Sequence, residues 1–210
     1  MAGRLLEGLL AESPPALAPA EAGGTACAGC GLAGGSPDDY RRALPAGETL
    51  CRVCALGPTA AWEPDRVRLL LAPELDQDRL NGLVTQLAVD LRRARAGEPV
   101  PAGIDAVLLA RWLETLRRRA RATAAALPWA ATPTRARHTL RALPAGPRAR
   151  LLAELAALRY LPETDDPALA RFFERRRALE PPRAGAPGPS AADLDVPPDR
   201  KGGVSRETIR

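Results

Sequence analysis

The 210 residues carry 30 Lys and Arg against 25 Asp and Glu, a formal net charge of +5, with 46% apolar but only 3% aromatic content. A chain of this length and apolar share can bury a core, which excludes a wholly disordered protein, and its reliance on Leu and Ala favours packed helices over a sheet. Arg or Asp interrupts every Leu run before the ~18–20 apolar residues of a membrane span are reached, and Glu7 and Glu12 break any secretory core, so a cytoplasmic protein is expected.

In chain order, residues 1–20 begin with a short helix over 4–10, followed by a Pro/Ala-rich stretch over 13–20 with the composition of a flexible linker. Residues 21–65 form a cysteine module. Gly31, Gly34, Gly35, Pro37 and Gly47 make the region between its cysteine pairs turn-rich and aperiodic, so a metal would have to organise it.

Residues 66–180 read as a helical body. The alternation of Val67, Leu69 and Leu71 predicts a short strand ended by Pro73. Asp76 is placed as an N-cap for a helix carrying Leu80, Leu83, Val84, Leu87 and Leu91. Ile104, Val107, Leu108, Leu109, Trp112, Leu113 and Leu116 form a broader apolar face fading into Arg117, Arg118 and Arg119, the helix expected to be most buried. Thr132 before Pro133 is an N-cap signature for a helix with Ala136, Leu140 and Leu143. The next helix is expected from Pro147 to Pro162, lined by Leu151, Leu152, Leu155 and Leu158. Asp166 and Pro167 open the last, with Leu169, Phe172, Phe173 and Leu179. Residues 181–210 combine Pro, Gly and charge with few large apolar side chains and are predicted to be disordered. The expected fold class is mainly α: a small four-Cys zinc-knuckle module, a body of about five helices and a disordered tail.

Cys27, Cys30, Cys51 and Cys54 carry the chemistry, spaced C-x2-C, then 20 residues, then C-x2-C. Two residues between cysteines let a knuckle turn aim both sulfurs at one ion, and four thiolates complete a tetrahedron. The predicted cofactor is one structural zinc per chain, its shell closed to water and substrate. Four free buried thiols and a rubredoxin-like iron centre are the competing readings; iron would want an aromatic surround, and only Tyr40 and Trp62 lie nearby in sequence. A metal-dependent nuclease is disfavoured because the single histidine, His138, lies far from the cysteines in a predicted helix. No catalytic residue is assigned, and the protein is expected not to be an enzyme.

Charge is unevenly spread. Residues 21–65 hold three Arg against six acids, net −3, whereas residues 66–180 hold 21 Arg against 13 acids, net +8. The runs Arg117, Arg118, Arg119, Arg121 and Arg175, Arg176, Arg177 could neutralise phosphates. At 100° per residue, however, three successive Arg spread around a helix, and no aromatics are interleaved for base stacking. Stripes such as Leu83, Leu87 and Leu91 or Phe172 and Phe173 fit either core packing or a docking groove.

Arg68 to Leu87, RLLLAPELDQDRLNGLVTQL, lies about a dozen residues after the last cysteine and resembles the DotN/IcmJ proteins of type IVB secretion systems. That family has paired cysteines followed by an L-P-E, Q and L-N pattern; Pro73, Glu74, Gln77, Leu80 and Asn81 stand at those places, with Ala72 replacing the expected Leu. The LRYLP stretch, Leu158 to Pro162, is similar to part of the family's helical half. The region between the cysteine pairs is shorter and more Gly-rich than the family pattern. The resemblance implies a non-catalytic adaptor of the coupling-protein complex at the cytoplasmic face of the inner membrane, binding the coupling ATPase and helping to recruit effectors. The alternative is a zinc-ribbon nucleic-acid-binding or regulatory protein. Arg gathered on one open face would favour that alternative, whereas an apolar groove rimmed by Arg would favour an acidic or amphipathic peptide.

Overall fold

The computed structural model describes residues 3–20, 26–44, 46–101 and 104–179; the tail expected to be disordered lies outside them. The fold is mainly α, with seven α-helices among the described residues. Helix α1 (Gly3–Leu10) precedes strands β1 (Leu17–Pro19), β2 (Tyr40–Ala43) and β3 (Glu48–Cys51), then the single turn α2 (Leu56–Thr59) and β4 (Val67–Leu71). The body continues through α3 (Gln77–Arg95), α4 (Ala106–Ala126), α5 (Pro133–Ala142), α6 (Ala145–Glu154), β5 (Leu158–Pro162) and α7 (Pro167–Leu179).

Local signals place the helix starts. Asp76 Oδ1 accepts from Arg79 N at 2.7 Å, Thr132 Oγ1 from Arg135 N at 3.2 Å ahead of Pro133, and Asp166 Oδ1 from Leu169 N at 3.0 Å. The expected five helices between Asp76 and Leu179 are present. Two of them differ from expectation. Helix α6 starts at Ala145, not at Pro147. The most buried helix is α3, whose buried residues include Leu80, Val84, Leu87, Ala88, Val89 and Leu91, because it is packed on both sides; α4 buries one stripe.

Three extended segments also depart from the sequence reading. Residues 17–19, expected within a flexible linker, form β1 and pair antiparallel with β2, Leu17 facing Ala43 and Pro19 facing Arg41. Main-chain pairing and the packing of Leu17 against the core order a stretch that composition alone marks as loose. The supposedly aperiodic region between the cysteine pairs contains the β2–β3 hairpin, with Tyr40 opposite Cys51. Residues 158–162, expected to finish a helix, form β5 paired with β4 from Val67↔Pro162 to Leu71↔Leu158. A strand wins there because β4, far back in the chain, supplies the main-chain partners of its ladder.

The β4–β5 ribbon separates two cores. On one side Val67, Leu69, Leu158 and Tyr160 join the cysteines, Leu5 and Leu9 of α1, Leu140 of α5 and Phe172 and Phe173 of α7. On the other, Leu70 and Leu161 join Leu80, Val84 and Leu87 of α3 and Leu109, Leu113 and Leu116 of α4. With both faces covered, β5 is buried at every position, which is why its sequence lacks a strict polar alternation. Leu71, placed by the alternation on the inner face with Val67 and Leu69, is 43% exposed at the ribbon's end.

Candidate metal centre

The hairpin and two knuckles bring Cys27, Cys30, Cys51 and Cys54 together, all four Sγ atoms within 4.8 Å of one another. Cys30 Sγ lies 3.7 Å from Cys51 Sγ. Sulfurs at the corners of a tetrahedron with metal–sulfur bonds of ~2.3 Å would be about 3.8 Å apart, so the cluster is near the size a small tetrahedral ion requires. This donor set could hold a metal ion, and it is the group the spacing singled out.

Each knuckle has a structural cause. Cys27 N donates to Leu32 O at 2.8 Å and Gly31 N to Cys27 O at 3.0 Å, a turn that closes with Gly31 at φ +72°, where a side chain would be strained. Ala55 N donates to Cys51 O at 2.9 Å, and the second knuckle runs directly into α2. Main-chain amides already point at the sulfurs: Cys51 N lies 3.2 Å from Cys27 Sγ and Cys54 N 3.5 Å from Cys51 Sγ. Cys27, Cys51 and Cys54 are buried and Cys30 is half-buried, making Cys30 the ligand closest to solvent.

Hydrogen bonds from Cys30, Cys51 and Cys54 hold Cys27 far below the usual thiol range, whereas hydrogen bonding to Cys27 together with burial pushes Cys51 and Cys54 up. Four sulfurs this close cannot all carry charge unaided. A divalent cation would remove that conflict and displace the remaining thiol protons.

The loop between the pairs is held from within and by α7. Tyr40 donates its hydroxyl to Leu32 O at 3.1 Å and Gly34 O at 2.6 Å, and burial pushes its phenol up to about 12. Asp39, fully buried, accepts from Ser36 N at 3.2 Å and from two nitrogens of Arg175 at 2.7 and 2.6 Å. Arg176 of the same helix donates to Ala33 O at 3.0 Å and Gly34 O at 2.8 Å. The basic run on α7 thus grips the metal loop. On α4, Arg117 reaches Asp165 at 2.6 Å, Arg119 bonds Glu74 and Leu71 O, and Arg121 bonds Glu114. Both Arg runs are used largely as internal ties, and His138 is exposed on α5.

Three further residues surround the site. Gln77 and Asn81 on α3 and Tyr160 on β5 are buried beside Cys54, and Asn81 Nδ2 donates to Cys54 Sγ at 3.2 Å. Spacing of cysteines could not find them. The available signal was the polar pair Gln77 and Asn81 lying one turn apart on the stripe that continues to Val84 and Ala88. The two stretches that carry the family resemblance, around Gln77–Asn81 and Leu158–Pro162, therefore meet at the fourth ligand.

An open apolar cleft lies between α1 and the hairpin, lined by Gly8, Ala11, Leu44, Leu50 and Pro58 and flanked by Glu7 and Glu48. No helix among the described residues is long and apolar enough to cross a membrane. Comparisons with protein-family models, curated proteins and solved structures found no match.

Proposed function

We propose that this chain is a non-catalytic adaptor stabilised by one structural zinc ion, and that it serves as a DotN/IcmJ-like subunit of a type IVB coupling-protein complex. The observation that carries the adaptor reading is the closed donor set: four sulfurs from the chain within 4.8 Å of one another complete a tetrahedral shell and leave a metal no position for water or substrate. Thiolate softness and tetrahedral size favour zinc. The resemblance supplies the machine and its location, peripheral to the inner membrane, with the coupling ATPase as partner. A partner segment that used the cleft beside α1 would present apolar side chains to Ala11, Leu44, Leu50 and Pro58.

The engagement of Arg117, Arg119, Arg175 and Arg176 in intramolecular bonds weakens the nucleic-acid alternative, since phosphates would have to compete with the carboxylates and carbonyls that these guanidinium groups already meet. Co-purification from the native organism, with elemental analysis of the product, tests the reading. One zinc per chain and recovery of the coupling ATPase are expected. Recovery of DNA or RNA that stays bound at physiological salt, with no protein partner, would replace the adaptor by a zinc-ribbon nucleic-acid-binding protein.

A further inference from the structure

The buried amides beside Cys54 form a chain of hydrogen bonds with only one possible polarity. Its start is the main chain of β5. Tyr160 N can only donate, and it donates to Gln77 Oε1 at 2.8 Å; the other end of the same amide, Gln77 Nε2, donates back to Tyr160 O at 2.9 Å. Gln77 thereby pairs with the free edge of β5 as a neighbouring strand would. Its second N–H then faces Asn81 Oδ1, at 2.9 Å. With its oxygen accepting, Asn81 must present Nδ2 to the remaining neighbours, Tyr160 Oη at 2.7 Å and Cys54 Sγ at 3.2 Å. Tyr160 in turn has its hydroxyl proton directed at Val53 O and Cys54 O, each 3.2 Å away. Every amide proton in the chain is used, so the network is closed and has no alternative orientation at equal cost.

The consequence falls on the sulfur. A fixed N–H donor aimed at Cys54 Sγ fixes the position and orientation of that sulfur, and the donor sits on α3, the helix shared by both cores. We propose that Asn81 is a positioning residue of the metal centre, and that through Gln77, Asn81 and Tyr160 occupancy of the site is transmitted to the seam between α3 and β5. The inference rests on the metal reading above and goes beyond it. In this arrangement Cys54 is the ligand that links the cysteine module to the helical body, while Cys30 remains the solvent-side ligand.

The test uses the full chain loaded with cobalt in place of zinc. In Asn81→Leu the sulfur loses its donor, so the sulfur-to-cobalt charge-transfer band should move to lower energy, and metal affinity from chelator competition should fall about 10–100-fold, as for other outer-shell partners. Amide exchange adds a second readout: removing the metal from the wild type should release protection along α3 near Asn81, and the variant should show a smaller change. Tyr160→Phe, which keeps the Asn81–Cys54 bond, should leave the charge-transfer band nearly in place, so a shift as large as that of Asn81→Leu would overturn the assignment. If Asn81→Leu does not fold, Gln77→Leu, which frees the Asn81 amide to rotate, should move the band in the same direction, and an unmoved band would overturn the proposal. Metal bound normally by the wild type with band and affinity unchanged in the variants sinks this inference alone. A wild type that binds no metal sinks the reading beneath it.

Discussion

Around Leu87, Leu109 and Leu113 the chain is ordered by apolar faces that recur every turn and find one another across α3 and α4. Around Cys51 and Cys54 it is ordered by chemistry instead: short strands, two knuckles, a buried Asp39 held by Arg175, and an amide chain ending on sulfur. The first core asks of its side chains only that they be apolar and of suitable size and shape. The second depends on particular atoms, because removing one donor or ligand leaves a buried polar partner unsatisfied. The shared helix α3 makes the two regions separable in composition but joined in space.

The hardest test of this contrast is Cys51→Ala. Structural zinc contributes on the order of 10 kcal/mol to such modules, so the variant should lose the metal and at least ~5 kcal/mol of stability. Elemental analysis and a denaturant titration measure both. Leu87→Ala, in the fully apolar core, should cost about 2–5 kcal/mol by opening a cavity, yet retain its full metal content. Metal loss in that variant would mean the cores are not distinct. Where α2 meets β5, a Cβ on Gly57 would come 2.7 Å from Tyr160 Cε1, so Gly57→Ala should cost about 1–3 kcal/mol and weaken chelator resistance as well. Thr132→Ala, which removes only the α5 cap, should cost ~1 kcal/mol and leave the metal untouched. A melting curve with metal present and one after chelation resolve that smallest effect.

The same contrast explains what was legible in the sequence. The helix starts at Asp76, Thr132 and Asp166 depend on bonds spanning two or three residues, so local pattern found them. The cysteines were found because ligand spacing is a local property too. Strand β5 was missed because its pairing is with β4: Leu158 continues the apolar rhythm of Leu151 and Leu155, and nothing nearby says that Leu71 will face it. The hairpin and β1 were missed for the same reason, since Gly and Pro there advertise turns but not the ladder between them. Asn81 appeared only as part of a resemblance; the sulfur it donates to, that of Cys54, lies 27 positions away. The Arg runs looked like a surface for polyanions, and what engages several of them in ion pairs is Asp39, Glu74 and Asp165, acids whose proximity only the folded chain reveals.

The grip of α7 and β5 on the cysteine module also sets an order in time. Tyr160 follows Cys54 by 106 positions, and Arg175 comes later still. At synthesis rates of ~5–20 residues per second, the last thiol leaves the ribosome roughly 5–20 s before the residues that bury it. During that interval the quartet is open to metal ions and oxidants alike, with only the hairpin to hold it. The quartet's exposure to metal ions is therefore greatest before the helical body is complete, and α7 is the last element to pack against the cysteine loop.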